Sequence, residues 1–210
     1  IQQQIDRLII TLQKRQQEAI ITTVILLAAL IAYYTYQSRQ EQHIKDASLL
    51  YYTNVVAREQ NDHEKLKALS TLTTSYKKTI YAQLAHAKLA KLAAENKDFT
   101  KAIEEYQTAL ISTEDISIKN LFHTRLAKLY ILANKPDKAL QAVNKIHDTK
   151  YTLIKNIIIT DAHILNKDHV KAQKVINDTI QACKKTKTNE HYLVLELIKE
   201  RQKLIANHEK

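Results

Sequence analysis

The 210 residues of this chain are enough for one domain of ordinary size and one further segment, and too few for a second substantial domain. Apolar residues make up 45% and charged residues 26%, which is ordinary globular usage and excludes wholesale disorder. A formal charge of +10 allows contact with anionic lipid, nucleic acid or acidic polypeptide. Because lysines alternate with acidic residues along the chain, the charge is more typical of solvated helix faces.

Glycine is absent from the sequence. Hairpin turns, parallel sheets and phosphate-binding loops use the positive φ angles or close backbone approach that glycine allows, so the composition favours an all-α fold. It also excludes a Walker loop, a dinucleotide fingerprint and a nucleophile elbow. Asparagine is the next residue to tolerate a left-handed position, and Asn96, Asn134 and Asn166 fall at expected helix ends.

The first predicted element is a short amphipathic helix over residues 1–18. Its apolar residues recur at spacings of three and four and share one helical face, opposite Gln and Asp. These residues are Ile1, Ile5, Leu8, Ile9 and Leu12. The segment either lies on a membrane surface or against a partner helix, or is simply the start of the helix that follows.

The second predicted element is a single transmembrane helix over residues 19–38. All residues from Ala19 to Ser38 are uncharged, and at ~1.5 Å each they span the ~30 Å of a bilayer core. Tyr33, Tyr34 and Tyr36 follow the apolar centre, as expected at a membrane interface. A signal peptide would have a shorter apolar region followed by small residues, and a buried soluble helix is the other alternative.

The charges that flank the span indicate its orientation. Basic residues favour the cytoplasmic side, and three of them lie ahead of the span while two follow it closely. The preceding ones are Arg7, Lys14 and Arg15, and the following ones are Arg39 and Lys45. The prediction is therefore a short cytoplasmic segment at residues 1–18, a span at 19–38, and a helical domain at 39–210.

The third predicted part is an α-solenoid of helical hairpins. Helical periodicity continues after residue 47, interrupted by short polar stretches such as 95–98, 134–137 and 166–168. Ala102, Ala139 and Ala172 recur at intervals of 37 and 33 residues, which bracket the period of ~34 residues of tetratricopeptide repeats. Small residues fit where the two helices of a hairpin approach most closely. Pro136 suits the first position of a helix, where its missing N–H is not needed.

Stacked hairpins of this kind line a concave face with the first helix of each pair. The predicted protein-binding groove combines apolar and basic residues from three repeats, some of which could instead belong to the core. Its residues are Leu84, Ala87, Lys91, Ala94, Leu121, Thr124, Lys128, Ile131, Ile154, Ile157, Asp161 and Ile164.

Catalytic and metal chemistry has little support in the sequence. No two of the nine histidines share the i, i+4 spacing of a helical zinc site, so no metal or cofactor is expected. Cys183 is the only cysteine and is expected to be a buried small apolar residue rather than a reactive thiol. A nucleic-acid partner is not expected either, because no groove-reading motif or aromatic stacking platform is present.

Several short motifs follow a charged N-terminus and a span ending in Tyr-Tyr. In order, they are Ala47-Ser48-Leu49-Leu50-Tyr51-Tyr52, Tyr81-Ala82-Gln83-Leu84-Ala85, Lys88-Leu89-Ala90, Asn120-Leu121 and Arg125-Leu126-Ala127. Taken in this order, they resemble the YfgM-like family of ancillary Sec translocon subunits. The resemblance covers about residues 5 to 180 and implies a single-pass protein of the bacterial inner membrane with a periplasmic repeat domain.

The same resemblance implies a non-enzymatic function at the export channel. Its implied partners are the SecYEG translocon, a membrane-anchored periplasmic chaperone and exported polypeptides, with the lipid bilayer around the span. One alternative is an anchored repeat scaffold of another envelope or organelle assembly. Another, from a different class, is a hydrolase or transferase that uses Cys183 or a histidine.

Overall fold

The computed structural model describes the backbone of residues 2–57, 61–185 and 189–208, and the side chains of 15–16, 18–57, 61–183 and 194–206. Within these ranges every regular element is helical, which confirms the predicted all-α class. The helices are α1 (Gln2–Tyr51), α2 (Asp62–Ser75), α3 (Ile80–Glu95), α4 (Phe99–Ser112), α5 (Ile116–Leu132), α6 (Pro136–Asn144), α7 (Thr152–Leu165), α8 (His169–Lys185) and α9 (Asn189–His208). A π-helical turn over Tyr52–Val56 follows α1, and a 3-10 turn over Thr149–Tyr151 precedes α7.

The chain divides into two compact units, Ile1–Leu49 and Leu50–Lys210. The first unit is one continuous helix whose side chains are exposed from residue 18 to residue 46. The segment Glu18–Val56 contains the one helix of the described chain that is long and apolar enough to cross a membrane, and its apolar stretch is not buried. This exposure argues against the alternative of a buried soluble helix.

Polar groups inside the apolar stretch are paired within α1. The Thr22 hydroxyl donates to the Glu18 carbonyl at 2.8 Å, and the Thr23 hydroxyl to the Ala19 carbonyl at 2.9 Å. Each of these two hydroxyls therefore has a partner within its own helix. The side chains of the predicted amphipathic face, Ile1 to Leu12, lie outside the described residues.

The second unit is a series of helical hairpins. From α2 to α9 each helix packs against the next one, and in addition α5 packs against α7 and α7 against α9. This alternation of neighbour and next-but-one contacts is typical of stacked helical repeats and confirms the predicted solenoid. Fully buried alanines occupy the helix contacts, since Ala90, Ala102, Ala127 and Ala139 have no exposed surface.

Most helices begin at a side-chain cap. The Asp98 carboxylate accepts from the Lys101 N–H at 3.0 Å, and the Asp115 carboxylate accepts from the Ile118 N–H at 3.0 Å. These bonds satisfy backbone donors that have no partner within the helix. Pro136 is the first residue of α6, as predicted.

Three hairpin turns share one geometry without glycine. A left-handed residue ends each first helix: Lys97, Asn134 and Lys167 have φ angles of 62°, 54° and 58°. In the first turn the Asp98 N–H donates to the Ala93 carbonyl at 2.9 Å, and the same closing bond recurs in the other two. The prediction was therefore right for Asn134 and wrong for Asn96 and Asn166, which have φ angles of −82° and −75°. In those two turns the lysine that follows takes the left-handed position, because the helix continues one residue further.

Candidate protein-binding groove

A groove with a volume of about 570 Å³ lies between α3 and α5. Equivalent repeat positions of the two helices, 37 residues apart, line it from both sides. The equivalent pairs are Leu84 with Leu121, Lys88 with Arg125, and Lys91 with Lys128. The groove therefore has matching apolar and basic positions on its two sides.

Aromatic and apolar side chains line the remainder of the groove. Tyr106 on α4 and Phe122 on α5 have ring centroids 5.5 Å apart and are both buried. The other apolar lining residues are Ala87, Ala90, Ala94, Leu129 and Leu132. Tyr51 also contributes, and its ring lies 5.7 Å from that of Tyr52 and 5.8 Å from that of Tyr81. Apolar side chains of a partner would therefore be desolvated here.

The charged residues that line the groove are all cations. They are Lys88, Lys91, Arg125 and Lys128, and within the described side chains no aspartate or glutamate lines the groove with them. Lys91 has an exposed partner on its own helix, Glu95, at 3.6 Å. The groove therefore carries a surplus of positive charge.

Titration behaviour reflects this environment. Burial, and then the charges of Arg125 and Arg201, lower the pKa of Lys128, although Asp161 acts in the opposite direction. Burial raises the pKa of the Tyr106 phenol, which Arg125 partly offsets. Burial, followed by the neighbouring Tyr52, likewise raises the pKa of Tyr51. Both phenols are therefore neutral at physiological pH, and Lys128 lies among other cations.

Six of the twelve predicted residues line this groove. They are Leu84, Ala87, Lys91, Ala94, Leu121 and Lys128. Leu84 and Leu121 remain 38% and 40% exposed, so both sides present an accessible leucine. The structure thus brings together the complete set predicted from the first repeat and half of the set from the second.

The other two residues predicted from the second repeat lie elsewhere. Thr124 is buried, and its hydroxyl donates to the Asn120 carbonyl at 2.8 Å. Ile131 is half-buried and packs against the main apolar core. Both therefore contribute to packing rather than to an open surface.

The four residues predicted from the third repeat are not part of the groove. Ile154 packs against the main core and Ile157 is buried. Ile164 packs against a second cluster, whose buried members are Ala172 and Ile176 of α8 and Ile198 and Ile205 of α9. Asp161 accepts two bonds from the Arg201 guanidinium, at 2.5 Å from Nε and 2.8 Å from Nη2. α9 packs on α7, and it covers Asp161 through Arg201 and Ile164 through the second cluster.

Sequence reasoning missed several residues of the groove. Lys88 and Arg125 are the most informative, because both are basic and they occupy equivalent positions 37 residues apart. The repeat period could have identified this pair, since a charge at the same place in two copies marks a shared exposed face. Tyr51 could not have been found in this way, because it precedes the repeats.

The structure also gives the positions of the predicted interface tyrosines and of the single cysteine. Tyr33, Tyr34 and Tyr36 lie on α1 and are 64%, 76% and 65% exposed. Cys183 is buried, and burial raises the pKa of its thiol. Within the described part of the chain, no cluster of His, Cys, Asp and Glu has the arrangement of a metal site.

Residues 13–198 of the chain match a family model described as a tetratricopeptide repeat-like domain. The chain belongs to this family. Its sequence is also similar to proteins named ancillary SecYEG translocon subunit, which confirms the resemblance to the YfgM-like family. The identity is 26% over 139 residues for the protein of Aggregatibacter actinomycetemcomitans, covering 66% of this chain and 68% of the relative.

Two further relatives carry the same name. The Haemophilus influenzae protein is 25% identical over 147 residues, which are 70% of this chain and 72% of the relative. The protein of Buchnera aphidicola subsp. Schizaphis graminum is 26% identical over 133 residues, which are 63% and 68% of the two chains. No solved structure matches the chain significantly.

Proposed function

We propose that this protein is a membrane-anchored subunit that associates with the Sec translocon and binds segments of exported polypeptides through its repeat domain. The groove between α3 and α5 is the observation that carries this proposal. An apolar floor between two rows of exposed leucine and basic side chains suits a peptide, because such a surface combines burial of apolar groups with orienting charges. The groove performs binding only, and no catalytic role is assigned to its residues.

The proposed anchor is the apolar part of α1. An uncovered apolar helix of this length is unfavourable in water and stable in lipid, where its backbone hydrogen bonds are all internal. Tyr33, Tyr34 and Tyr36 would lie at one interface of the membrane. The N-terminus would be cytoplasmic and the repeat domain periplasmic, in the inner membrane of a bacterium.

The proposed partners follow from the relatives. The three bacterial proteins are named as ancillary subunits of SecYEG, and the matched residues include the repeat region. The repeat domain would then be held beside the channel exit, together with a membrane-anchored periplasmic chaperone. The role of the groove would be to hold newly exported segments until they fold or are passed on.

Site-directed crosslinking in native membranes tests this association. A photoreactive residue at Ile25, in the apolar stretch, is expected to crosslink to the Sec channel. The same residue at Lys138 on α6 is the control and is not expected to do so. Extraction of the intact protein by carbonate, or failure of SecYEG to co-purify with it from mild detergent, would contradict the proposal.

Protease protection tests the orientation separately. Protease added to spheroplasts should digest the repeat domain and leave a small membrane-protected fragment that contains the apolar part of α1. A repeat domain that resists protease until the inner membrane is opened would place it in the cytoplasm and reverse the proposed topology.

The alternatives make different predictions. A scaffold of another envelope assembly would be anchored in the same way but would co-purify with other partners, so mass spectrometry of the native complex distinguishes it. An enzyme using Cys183 would need an accessible thiolate, and burial with a raised pKa disfavours one.

A further inference from the structure

We propose that the groove binds segments that carry carboxylates alongside apolar side chains, in preference to neutral or basic apolar segments. This inference rests on the proposed function, because it specifies which polypeptides the same groove would take. Its basis is the arrangement of four cations around an apolar floor, together with a carboxylate that the chain itself places beside them.

The four cations form two levels in the groove. Lys88 and Arg125 occupy one equivalent position, and Lys91 and Lys128 occupy the next, three residues further along each helix. Three residues correspond to ~4.5 Å along a helix axis, close to one turn. A ligand with two carboxylates about one helical turn apart would therefore meet a cation pair at each level, between the leucines at one end and Ala94 and Leu132 at the other.

The third repeat shows how a carboxylate is held at this position. Asp161 lies 33 residues after Lys128, where the first two repeats have lysine. Its two oxygens accept from Arg201 of α9, and its charge also acts on Lys128. Asp161 lies on α7, which packs against α5, so the fold already places an acidic side chain where its charge acts on the groove residue Lys128. A bound acidic segment would place further carboxylates beside Arg125 and Lys88.

Repulsion among the cations points in the same direction. Arg125 and Arg201 both disfavour the charged form of Lys128, and Asp161 offsets this only in part. A ligand carboxylate beside Arg125 and Lys128 would relieve the repulsion and gain charge-assisted hydrogen bonds. A basic segment would increase the repulsion.

A second basic surface in the same domain provides a comparison. A cavity of about 840 Å³ between α4, α5 and α6 is lined by Lys119, His123, Lys138 and Lys145. It has the charge needed to attract an acidic peptide but lacks the matching rows of leucine and cation. The groove is therefore the proposed binding site, and this second cavity supplies the matched control.

Peptide binding to the full chain in phosphatidylcholine nanodiscs tests the inference. The probes are three fluorescein-labelled peptides of about 12 residues, longer as helices than the ~15 Å of the groove rows. All share the same leucines, and they carry Glu, Gln or Lys at the other positions. Fluorescence anisotropy should show about tenfold tighter binding of the Glu peptide than of the Gln peptide, as expected for two or three partly exposed charge pairs.

Charge-removing variants then locate the binding. Arg125→Gln/Lys128→Gln should abolish the preference for Glu, and Lys88→Gln/Lys91→Gln should reduce it. Lys138→Gln/Lys145→Gln removes the same charge from the second cavity and should leave the preference intact. All of these side chains are at least partly exposed, and an unchanged helical circular dichroism spectrum would show that each variant is folded.

Three outcomes would overturn the inference. Equal binding of the Glu and Gln peptides would refute the charge preference and leave the groove as a general polypeptide site. Loss of the preference only in Lys138→Gln/Lys145→Gln would move the acidic ligand to the second cavity. Absence of binding by all three peptides would refute the ligand class, while co-purification of the wild-type chain with SecYEG tests the proposed function independently.

Discussion

Replacing Lys97 and Lys167 by glycine is expected to stabilise the repeat domain. Both lysines have positive φ, which costs an L-residue roughly 1–2 kcal/mol and costs glycine nothing. The greater freedom of glycine in the unfolded chain removes about 0.4–1 kcal/mol of this gain. The net gain is then about 0.5–1 kcal/mol per turn, and the two turns should be additive because they lie in different hairpins.

Urea denaturation of the full chain in detergent, followed by circular dichroism, measures this gain. With a slope of roughly 2 kcal/mol/M, the double variant should raise the midpoint by about 0.5–1 M. Asn96→Gly is the matched control, because its φ of −82° gives glycine no strain to relieve, and it should lower the midpoint. Lys97→Asn controls for the lost charge and should retain part of the gain. If the double variant is no more stable than Asn96→Gly, the positive φ angles of Lys97 and Lys167 are not a source of strain and the reasoning is refuted.

Three other predictions concern the core, the pH dependence and the thiol. Leu72→Ala should lower the unfolding free energy by about 2–5 kcal/mol, because the side chain is fully buried, whereas the exposed Leu66→Ala should cost much less in the same urea experiment. The pKa of His123 is lowered by burial and then by the charges of Lys145, Lys119 and His147. Just below pH ~6.5 the unfolded chain therefore binds more protons than the folded chain, and the unfolding free energy should fall as the pH drops through that window. His123→Gln should reduce this fall, measured as the urea midpoint against pH, and substitution of the exposed His63 by Gln should not. An equal dependence of the midpoint on pH in both variants would contradict the role of His123. Cys183 should react slowly with a maleimide at neutral pH and quickly in urea, so fast labelling of the folded chain would reopen the enzymatic alternative.

The hairpin architecture was predictable because it depends on local patterns. The periodic recurrence of Ala102, Ala139 and Ala172 reflects helix contacts that require small side chains, and polar breaks separate the helices at nearly the observed places. The residue that takes the left-handed position was less predictable. The tolerance of asparagine for positive φ indicated Asn96 as the left-handed residue. The length of α3 determines the position instead, because α3 extends far enough that Lys97 takes the positive φ.

The groove was predictable only where no later helix covers it. Repeat register places Leu84 and Leu121 on one face, and both line the groove. The same register places Ile164 on that face, yet it is packed against the cluster that α8 and α9 share. The periodicity of one helix does not show which neighbouring surface that helix covers. Tertiary packing therefore decides which members of a repeated position remain open.

The change of charge at one repeat position explains where the groove ends. Lys91 and Lys128 face an open groove, whereas Asp161 at the equivalent position binds Arg201. α9 packs on this part of the solenoid through Ile198 and Ile205, and the pair of Asp161 with Arg201 adds a charged contact to this packing. A lysine at position 161 would place two cations side by side and so would weaken the contact of α9 with α7. The charge at this repeat position thus differs between the open groove, where it is positive, and the part of the solenoid that packs against α9, where it is negative.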